Sequence, residues 1–515
     1  MLVTELIERN ARKRPHREAL VGDGVRLNHL ELAQRIEWVA RCLARLGFVR
    51  GDRVLVQMSN KIPYVELYFA VPKIGAILAP LNVRLTPVEL PYFISHSGAV
   101  CLVADLDRAT EIERGLTDWG EIRERIVVGG HLGGWRAYED LTPSHEVELP
   151  RYEPSTENDV IYIYYTSGTT GRPKGAMWTH RQVIEQLVNL QFDLPINPVD
   201  TSLVAVNLSH GPSVLPVLHQ VLYVGGRVIL YSGLRFQAEE FADLAVKEGV
   251  STTLLVPTML HRLLQIEDQG RDWFEGFKYI KYAAAKMDPD ELEMAVSRMQ
   301  RRLTQGYGST ETVGGVTFLA PSEHNPELPG LEKRLASAGR EYTNVRVAIM
   351  DNQGRLLPPG EVGQIVVQSD KNFAGYWRDP EATEKAFRDG WLLTGDLGRL
   401  DNEGYLYVLD RLSDMIISGG ENVYPREVEE VLSGFSTIAE CAVVGVPDLE
   451  WGETVWAFVV PALGQTINPE EVIEFCRGRL AGYKRPRRVV VCKDLPKNSL
   501  GKIQKFLLRE KAHRG

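Results

Sequence analysis

The chain has 515 residues, of which 44% are hydrophobic and 25% charged, and its formal net charge is -9. This length exceeds what one hydrophobic core usually serves, so we expect a large domain and at least one smaller one. The acidic balance argues against nucleic acid as the main partner, because contact with phosphates needs a basic surface. We find no apolar run long enough to span a bilayer and no targeting or lipidation signal. We therefore expect a cytoplasmic protein without a transmembrane anchor.

The first part of the chain alternates between helix and strand. Asn28, followed three residues later by Glu31, predicts a helix start, and apolar residues then recur at helical spacing until Gly47. A strand at 54–58, a helix and another strand follow, and the same alternation returns after residue 200. Such alternation predicts parallel sheets. We expect an α/β fold whose large N-terminal domain contains two layered α/β lobes.

The pattern changes twice in the second part of the chain. From residue 345 onward, short alternating strands with tight turns predict a small β-rich lobe. After Asp410 and Arg411 the order helix, strand, strand, helix, strand, helix predicts an independent α+β domain. We therefore predict an N-terminal domain of residues 1–409 and a C-terminal domain of residues 410–515, with the linker near Asp410.

A loop rich in glycine and hydroxyl groups follows a strand-like run at 160–164. It reads YTSGTTGRPKG over residues 165–175. Glycines let backbone N–H groups approach an anion, hydroxyls add donors, and Lys174 supplies a positive charge. The glycine spacing differs from a Walker A motif, and a turn-rich surface loop is the alternative. The residues predicted to hold phosphates are Thr166, Ser167, Gly168, Thr169, Thr170, Gly171 and Lys174.

Four further motifs follow this loop in order. They read QGYGSTE at 305–311, WLLTGD at 391–396, DRLSD at 410–414 continuing to SGGENVYP at 418–425, and KNSLGK at 497–502. The five motifs together resemble the signatures of the adenylate-forming superfamily of acyl-CoA synthetases, adenylation domains and luciferases. Their order and separations, across essentially the whole chain, make a chance match improbable. In appearance the chain is closest to fatty-acid or aryl-acid CoA ligases.

The resemblance implies that the second motif binds the nucleotide and the metal. Thr310 and Glu311 would contact the α-phosphate and Mg²⁺, and a carboxylate is a hard oxygen ligand suited to a hard cation. Tyr307, next to Gly308, would lie against the adenine, where an aromatic face gains from stacking. Considered alone, Glu311 would be an ordinary surface carboxylate and Tyr307 an ordinary core aromatic.

The later motifs would supply the sugar contacts and the adenylation lysine. Asp396 would accept hydrogen bonds from the ribose hydroxyls, and Arg411 would donate there. Lys502 resembles the lysine that lies between the acid and the α-phosphate while negative charge builds up. Such charge stabilisation is worth roughly 3 to 4 kcal/mol. Many basic residues surround Lys502, and a basic run is usually a solvated face, so only the motif context distinguishes it.

The resemblance also implies a second half-reaction with coenzyme A. The C-terminal domain of the family swings about a hinge, and Asp410 occupies the hinge position here. Gly419 and Gly420 would let the backbone approach the pantetheine arm, with an ordinary turn as the alternative. His210 stands where many relatives have a histidine that gates the acid pocket or aids thioester formation, although a lone histidine is more often structural.

The acid pocket implied by the resemblance lies near residues 207–216, 283–287 and 307–316. Small residues there indicate room, and no aspartate is placed to pair with an α-amino group. We therefore expect an acid with an apolar chain or an aromatic ring rather than an amino acid. Two residues depart from the family pattern, since Lys286 stands where relatives often have proline and Ile417 where many have lysine.

These features predict an acid:CoA ligase that uses ATP, Mg²⁺ and coenzyme A. The acid attacks the α-phosphorus of ATP, pyrophosphate leaves, and coenzyme A displaces AMP from the acyl-adenylate. One alternative is an adenylating enzyme that passes the acid to a carrier protein, an amine or another acceptor. A second is a catalytically silent nucleotide-binding protein, against which the intact Glu311, Asp396 and Lys502 argue. The sequence leaves open the identity of the acid and whether the protein is a homodimer.

Overall fold

The computed structural model describes residues 1–141, 155–166, 172–233, 235–266, 273–283, 287, 289–418, 421–448, 451–477, 479–497 and 503–514. Internal contacts divide the chain into two compact units. Unit 1 consists of Met1–Ser167, Pro173–Val347 and Val367–Leu392, and unit 2 consists of Gly168–Arg172, Ala348–Val366 and Leu393–Gly515. The predicted linker near Asp410 falls inside unit 2, and the two domains predicted at that boundary stay a prediction.

The strands are short and spread along the whole chain. They are β1 Glu18–Gly22, β2 Val25–Asn28, β3 Arg53–Gln57, β4 Ile77–Pro80, β5 Cys101–Asp105, β6 Glu124–Val128, β7 Arg136–Ala137, β8 Val160–Thr166, β9 Lys174–Thr179, β10 Thr201–Val204, β11 Arg227–Leu230, β12 Thr252–Leu255, β13 Tyr279–Tyr282, β14 Leu303–Ser309, β15 Gly314–Leu319, β16 Arg340–Glu341, β17 Arg346–Met350, β18 Gly363–Gln368, β19 Phe387–Arg388, β20 Trp391–Leu400, β21 Leu406–Arg411, β22 Ile416–Ser418, β23 Glu421–Val423, β24 Ile438–Asp448, β25 Gly452–Pro461 and β26 Arg488–Val491.

Helices connect most of these strands. They are α1 Glu5–Lys13, α2 His29–Arg45, α3 Ile62–Lys73, α4 Leu90–Ser97, α5 Leu106–Gly115, α6 His180–Asp193, α7 Gly211–Val214, α8 Gln220–Val224, α9 Ala238–Lys247, α10 Pro257–Leu264, α11 Pro289–Met299, α12 Leu331–Leu335, α13 Pro380–Ala386, α14 Pro425–Ser433, α15 Pro469–Arg477 and α16 Lys505–Arg514. A π-helical turn, Leu215–His219, joins α7 to α8. Within the described ranges, no helix is both long enough and apolar enough to cross a membrane.

Unit 1 is built on two sheets whose central strands are parallel. The strand order is β7-β6-β5-β3-β4-β8-β9 in the first sheet and β16-β15-β14-β13-β12-β10-β11-β1-β2 in the second. Every residue of β4, β5, β10, β12 and β13 is buried, as expected of parallel strands that are covered on both faces. The predicted α/β fold class and the parallel sheets are therefore confirmed.

Two antiparallel hairpins interrupt the parallel pattern and were not predicted. In the hairpin of β8 and β9, Thr166 pairs with Lys174, and in that of β14 and β15, Gly308 pairs with Gly315. Antiparallel strands can be joined by a tight turn, whereas parallel strands need a long crossover. In both hairpins, motif residues therefore lie next to the connection between the two strands.

The predicted helix start at Asn28 is confirmed as a capping box. The Asn28 side chain accepts from the backbone N–H of Glu31 at 2.8 Å, and the Glu31 carboxylate accepts from the N–H of Asn28 at 2.8 Å. Thr179 and Gln182 form the same arrangement at the start of α6. Both boxes satisfy N–H groups that the first helical turn leaves without partners.

Unit 2 contains an α+β sandwich that follows the predicted order from α14 to α16. Its sheet has the order β23-β22-β25-β24, with β26 beside β25. Residues of α14 and α15 share one hydrophobic cluster with this sheet, and residues of α16 share another. The short hairpin of β22 and β23 was not predicted, because three-residue strands give too little alternation to recognise. The β-rich part predicted from residue 345 is a five-stranded sheet, β17-β18-β20-β19 with β21 beside β20.

Asn60, just beyond β3, holds the loop that follows β10 in place through hydrogen bonds. Its amide nitrogen donates to the carbonyls of Val204 at 3.3 Å and Val206 at 3.1 Å, and its oxygen accepts from the N–H of Leu208 at 2.9 Å. Asn60 is 4% exposed. The carboxyl ends of β3 and β10, which belong to different sheets, are thus joined where ligands of parallel sheets usually bind.

We expect Asn60→Ala to lower the free energy of unfolding of unit 1 by roughly 2 to 4 kcal/mol, because it leaves several buried backbone groups without partners. Denaturant unfolding followed by tryptophan fluorescence measures this loss. Asn28→Ala is the comparison, since loss of a helix cap costs about 1 kcal/mol. Equal losses in the two variants would contradict the fastening role of Asn60.

Candidate functional site

Thr166 and Lys174 lie opposite each other at the loop end of the β8–β9 hairpin. The Thr166 hydroxyl is 3.5 Å from the Lys174 carbonyl oxygen, to which it donates. The Lys174 ammonium lies 5.1 Å from the ring centre of Tyr376, within the range of a cation–π interaction. The other predicted phosphate contacts, Ser167, Gly168, Thr169, Thr170 and Gly171, lie outside the described residues. Phosphate binding by this loop stays a prediction.

The Glu311 carboxylate contacts the hydroxyl group of the same tyrosine. The Tyr376 hydroxyl donates to Glu311 Oε1 at 3.0 Å. The lysine of the first motif and the carboxylate of the second are therefore brought to one aromatic side chain. Nothing in the sequence around Tyr376 distinguished it as a site residue. Among the described residues, no group of three or more His, Cys, Asp and Glu side chains is placed to hold a metal.

Gly308 is required by the close approach of two strands. A Cβ atom at this position would lie 2.2 Å from the carbonyl oxygen of Gly314 and 2.8 Å from the Cα of Gly315. No side chain can be accommodated there. The neighbouring Tyr307 is half-buried and pairs with Thr317 across the hairpin. The predicted contact of Tyr307 with adenine stays a prediction.

A hydrogen bond to the backbone of Leu208 holds the loop that carries His210. The Tyr68 hydroxyl donates to the Leu208 carbonyl, and the Tyr164 hydroxyl donates to Tyr68 Oη at 3.1 Å. A Cβ on Gly211 would lie 2.7 Å from the Tyr164 ring, so this backbone also lies tightly against β8. Burial lowers the pKa of His210 to about 4, and the charge of Arg84 contributes in the same direction. The imidazole is therefore neutral near pH 7 and suited to hydrogen bonding rather than to charge stabilisation.

Asp396 and Arg411, both in unit 2, form an ion pair across strands β20 and β21. Arg411 Nε lies 2.8 Å from Asp396 Oδ1, and the two residues are paired in register. Asp396 is buried, and its N–H donates to the Thr394 hydroxyl at 3.1 Å. One carboxylate and one guanidinium thus stand side by side, as binding of a sugar diol requires. Their contact with ribose stays a prediction.

Asp410 connects the end of β21 to the start of α14. Its carboxylate accepts from the N–H of Arg411 at 2.8 Å and from the N–H of Arg426 at 2.9 Å. Lys502, Gly419 and Gly420 lie outside the described residues, so their roles stay predictions. Several basic residues that are close to Lys502 in the sequence form ion pairs with carboxylates of unit 2. The pairs are Lys484 with Glu427, Lys497 with Glu440, Lys505 with Glu429 and Arg509 with Asp414.

Comparison with known proteins identifies the family. The chain matches the family described as AMP-binding enzyme over residues 7–377, and the AMP-binding enzyme C-terminal domain over residues 427–502. The chain therefore belongs to the AMP-binding enzyme family, which confirms the resemblance to adenylate-forming enzymes.

Similar proteins align with nearly the whole chain. A feruloyl-CoA synthase of an Amycolatopsis species is 37% identical over 507 residues, covering 98% of this chain and 97% of the relative. The long-chain-fatty-acid–CoA ligase FadD13 of Mycobacterium tuberculosis is 33% identical, covering 94% and 93%. The ATP-bound crystal structure of MatB from Rhodopseudomonas palustris has a TM-score of 0.87 at 30% identity, covering 99% of both chains.

Three buried histidines of unit 1 carry neutral imidazoles. Burial lowers the pKa of His180 to about 4, of His219 to about 3 and of His324 to about 4. His219 and His324 are each hydrogen-bonded to a tyrosine hydroxyl at 3.0 Å. The folded pKa values lie below the ordinary value of 6.5, so the unfolded chain binds more protons than the folded chain between the two values.

We expect unit 1 to be fully stabilised by these histidines above pH 6.5 and to lose that stability as the pH falls toward 4. Each histidine contributes a slope of about 1.4 kcal/mol per pH unit in this window. Denaturant midpoints between pH 7 and pH 4.5 measure the slope. His219→Phe and His324→Phe should each reduce the proton uptake on unfolding by about one. An unchanged slope in both variants would show that other groups are responsible.

Proposed function

We propose that this chain is an ATP-dependent ligase that adenylates a carboxylic acid and transfers the acyl group to coenzyme A. The observation that carries the proposal is the contact of both Lys174 and Glu311 with Tyr376, the lysine with its ring and the glutamate with its hydroxyl, in a chain of the AMP-binding enzyme family. The similar proteins include a feruloyl-CoA synthase and a fatty-acid–CoA ligase, which supports coenzyme A as the acceptor.

In the proposed first step, the carboxylate of the acid attacks the α-phosphorus of ATP and pyrophosphate leaves. Thr310 would contact the α-phosphate, and Lys174 would attract the phosphates that the loop at 167–171 holds. Glu311 offers a hard carboxylate, oriented by the Tyr376 hydroxyl, that fits Mg²⁺. Bound there, Mg²⁺ would neutralise charge on the triphosphate.

Unit 2 contributes the other groups of the proposed reaction. The Asp396–Arg411 pair would bind the ribose hydroxyls, because the carboxylate accepts and the guanidinium donates hydrogen bonds. Lys502 would stabilise the negative charge that builds between the acid and the α-phosphate. Gly419 and Gly420 would let the pantetheine arm of coenzyme A pass close to the backbone. The thiol of coenzyme A then attacks the acyl carbon, and AMP leaves.

An acid with an apolar chain or an aromatic ring is the proposed substrate class. The described part of the predicted acid pocket is apolar and buried at Leu208, Val214, Leu215 and Val316. Gly314 lies against Leu215, since a Cβ on it would be 3.1 Å from the leucine Cδ1. An α-ammonium group would find no carboxylate among these four residues and would lose its hydration there.

The deciding measurement is pyrophosphate release from MgATP with a panel of fatty, aryl, steroidal, amino and small inorganic acids, with and without coenzyme A. We expect release with fatty or aryl acids and accumulation of a coenzyme A thioester. Lys502→Ala should lower release by about 10² to 10³, because it removes a preorganised charge. Lys484→Ala is the matched control, since this lysine lies outside the motif and pairs with Glu427 at 2.6 Å, and it should stay within about twofold of wild type.

The other outcomes distinguish the alternatives. Acid-dependent release without any thioester would keep the adenylation step and assign the acceptor to a carrier protein, an amine or another group. Absence of acid-dependent release from folded, ATP-binding protein would contradict the enzyme and favour a silent nucleotide-binding protein.

A further inference from the structure

Three consecutive peptide carbonyls, those of residues 310–312, are each bound by a donor from elsewhere in unit 1. The indole N–H of Trp178 donates to the first at 2.8 Å, and the backbone N–H of Phe373 donates to the second at 2.9 Å. The ammonium of Lys371 donates to the third. With the Tyr376 hydroxyl on the Glu311 carboxylate, the segment 371–376 holds this turn at three points.

The residue that follows these three carbonyls adopts an unfavourable backbone conformation, so hydrogen bonds are needed to hold the turn in place. Val313 has φ +49°, a region that L side chains avoid and β-branched side chains avoid most. The Lys371 ammonium binds the carbonyl of Thr312, immediately before this residue. The Thr312 hydroxyl also donates to the carbonyl of Gly314 at 2.7 Å, across Val313. Donors on both sides of Val313 thus oppose relaxation of the turn.

Lys371 is an unusual choice for a purely structural role. Its side chain is fully buried, and among the described residues its ammonium binds a carbonyl oxygen and forms no ion pair with a carboxylate. Burial lowers its pKa to about 7. A desolvated cation costs stability, whereas methionine has similar length and would occupy the same space without that cost. Residues kept at a cost to stability are often residues that function requires.

We propose that Lys371 is a positioning residue for adenylation, which fixes the turn so that Thr310 and Glu311 meet the α-phosphate and Mg²⁺ in the correct place. The proposal rests on the proposed function, because only an adenylating enzyme uses the turn in this way. Lys371 holds the backbone after Glu311, and Tyr376 orients its carboxylate. Without the ammonium, the strained turn relaxes and the carboxylate is displaced.

The test is Lys371→Met in the full-length protein. We expect the Mg²⁺ concentration that half-saturates acid-dependent pyrophosphate release to rise about tenfold or more, while the KM for the acid stays within about twofold. The melting temperature should stay close to that of wild type, because removal of a buried cation offsets the loss of the donor to the Thr312 carbonyl. Wild-type Mg²⁺ dependence in this variant, or loss of its cooperative melting transition, would overturn the proposal.

Lys281→Met is the matched control. Lys281 is also buried, and burial also lowers its pKa to about 7, but its ammonium donates to the Pro216 carbonyl at 3.0 Å and to Gln220 Oε1 at 3.2 Å. Its Mg²⁺ half-saturation should stay within about twofold of wild type. A shift equal to that of Lys371→Met would assign the effect to general loss of a buried lysine.

A double-mutant cycle with Tyr376→Phe tests whether the two residues act on the same turn. We expect the double variant to shift Mg²⁺ half-saturation by less than the product of the single shifts, because contacts to one element are not independent. A shift equal to that product would overturn joint action of the two residues on the turn. Inactive wild-type protein, by contrast, would contradict the proposed function rather than the role of Lys371.

Discussion

The hydrogen bond from the Tyr376 hydroxyl to the Glu311 carboxylate joins segments that are 65 residues apart in the chain. The Lys174 ammonium contacts the ring of the same tyrosine, so one side chain connects the β8–β9 hairpin to the turn after β14. A carboxylate that accepts a hydrogen bond in a half-buried position has a defined orientation. The proposed metal contact depends on that orientation, because a Mg²⁺ ion demands near-ideal geometry from its oxygen ligands.

A second constraint recurs throughout unit 1: the loops beyond the strands are held by hydrogen bonds to their backbone. Asn60 and Tyr68 bind the two polar groups of Leu208, and Trp178 binds the carbonyl of Thr310. Buried backbone groups without partners are costly, so each of these side chains stabilises one conformation of its loop. Rigid strands alone could not do this, since loops that leave a parallel sheet have no ladder partners of their own. Preorganised loops of this kind are what transfer of a phosphate-activated group requires.

The sequence pattern predicted most of the fold but only part of the candidate site. Alternation of buried strands with amphipathic helices predicted the parallel sheets, and the spacing of Asn28 and Glu31 predicted a helix start. Motif order predicted that Glu311 and Lys174 belong to one site. Tyr376, Lys371 and Trp178 were missed, since they act on the turn across 65, 59 and 132 residues of chain and no local pattern marks them. The antiparallel hairpins were missed as well, because strand periodicity does not encode strand direction.

Local chemistry explains this division. Helix caps, buried strand runs, turn glycines and motif residues depend on neighbours a few positions away, so the amino-acid sequence specifies them directly. It also specifies the family, because the ordered motifs reflect one reaction. The necessity of glycine at position 308, the neutral state of His210 and the burial of the Lys371 cation depend on atoms contributed by distant segments. Those properties exist only once the chain is packed, because close approach and loss of solvent are consequences of tertiary structure.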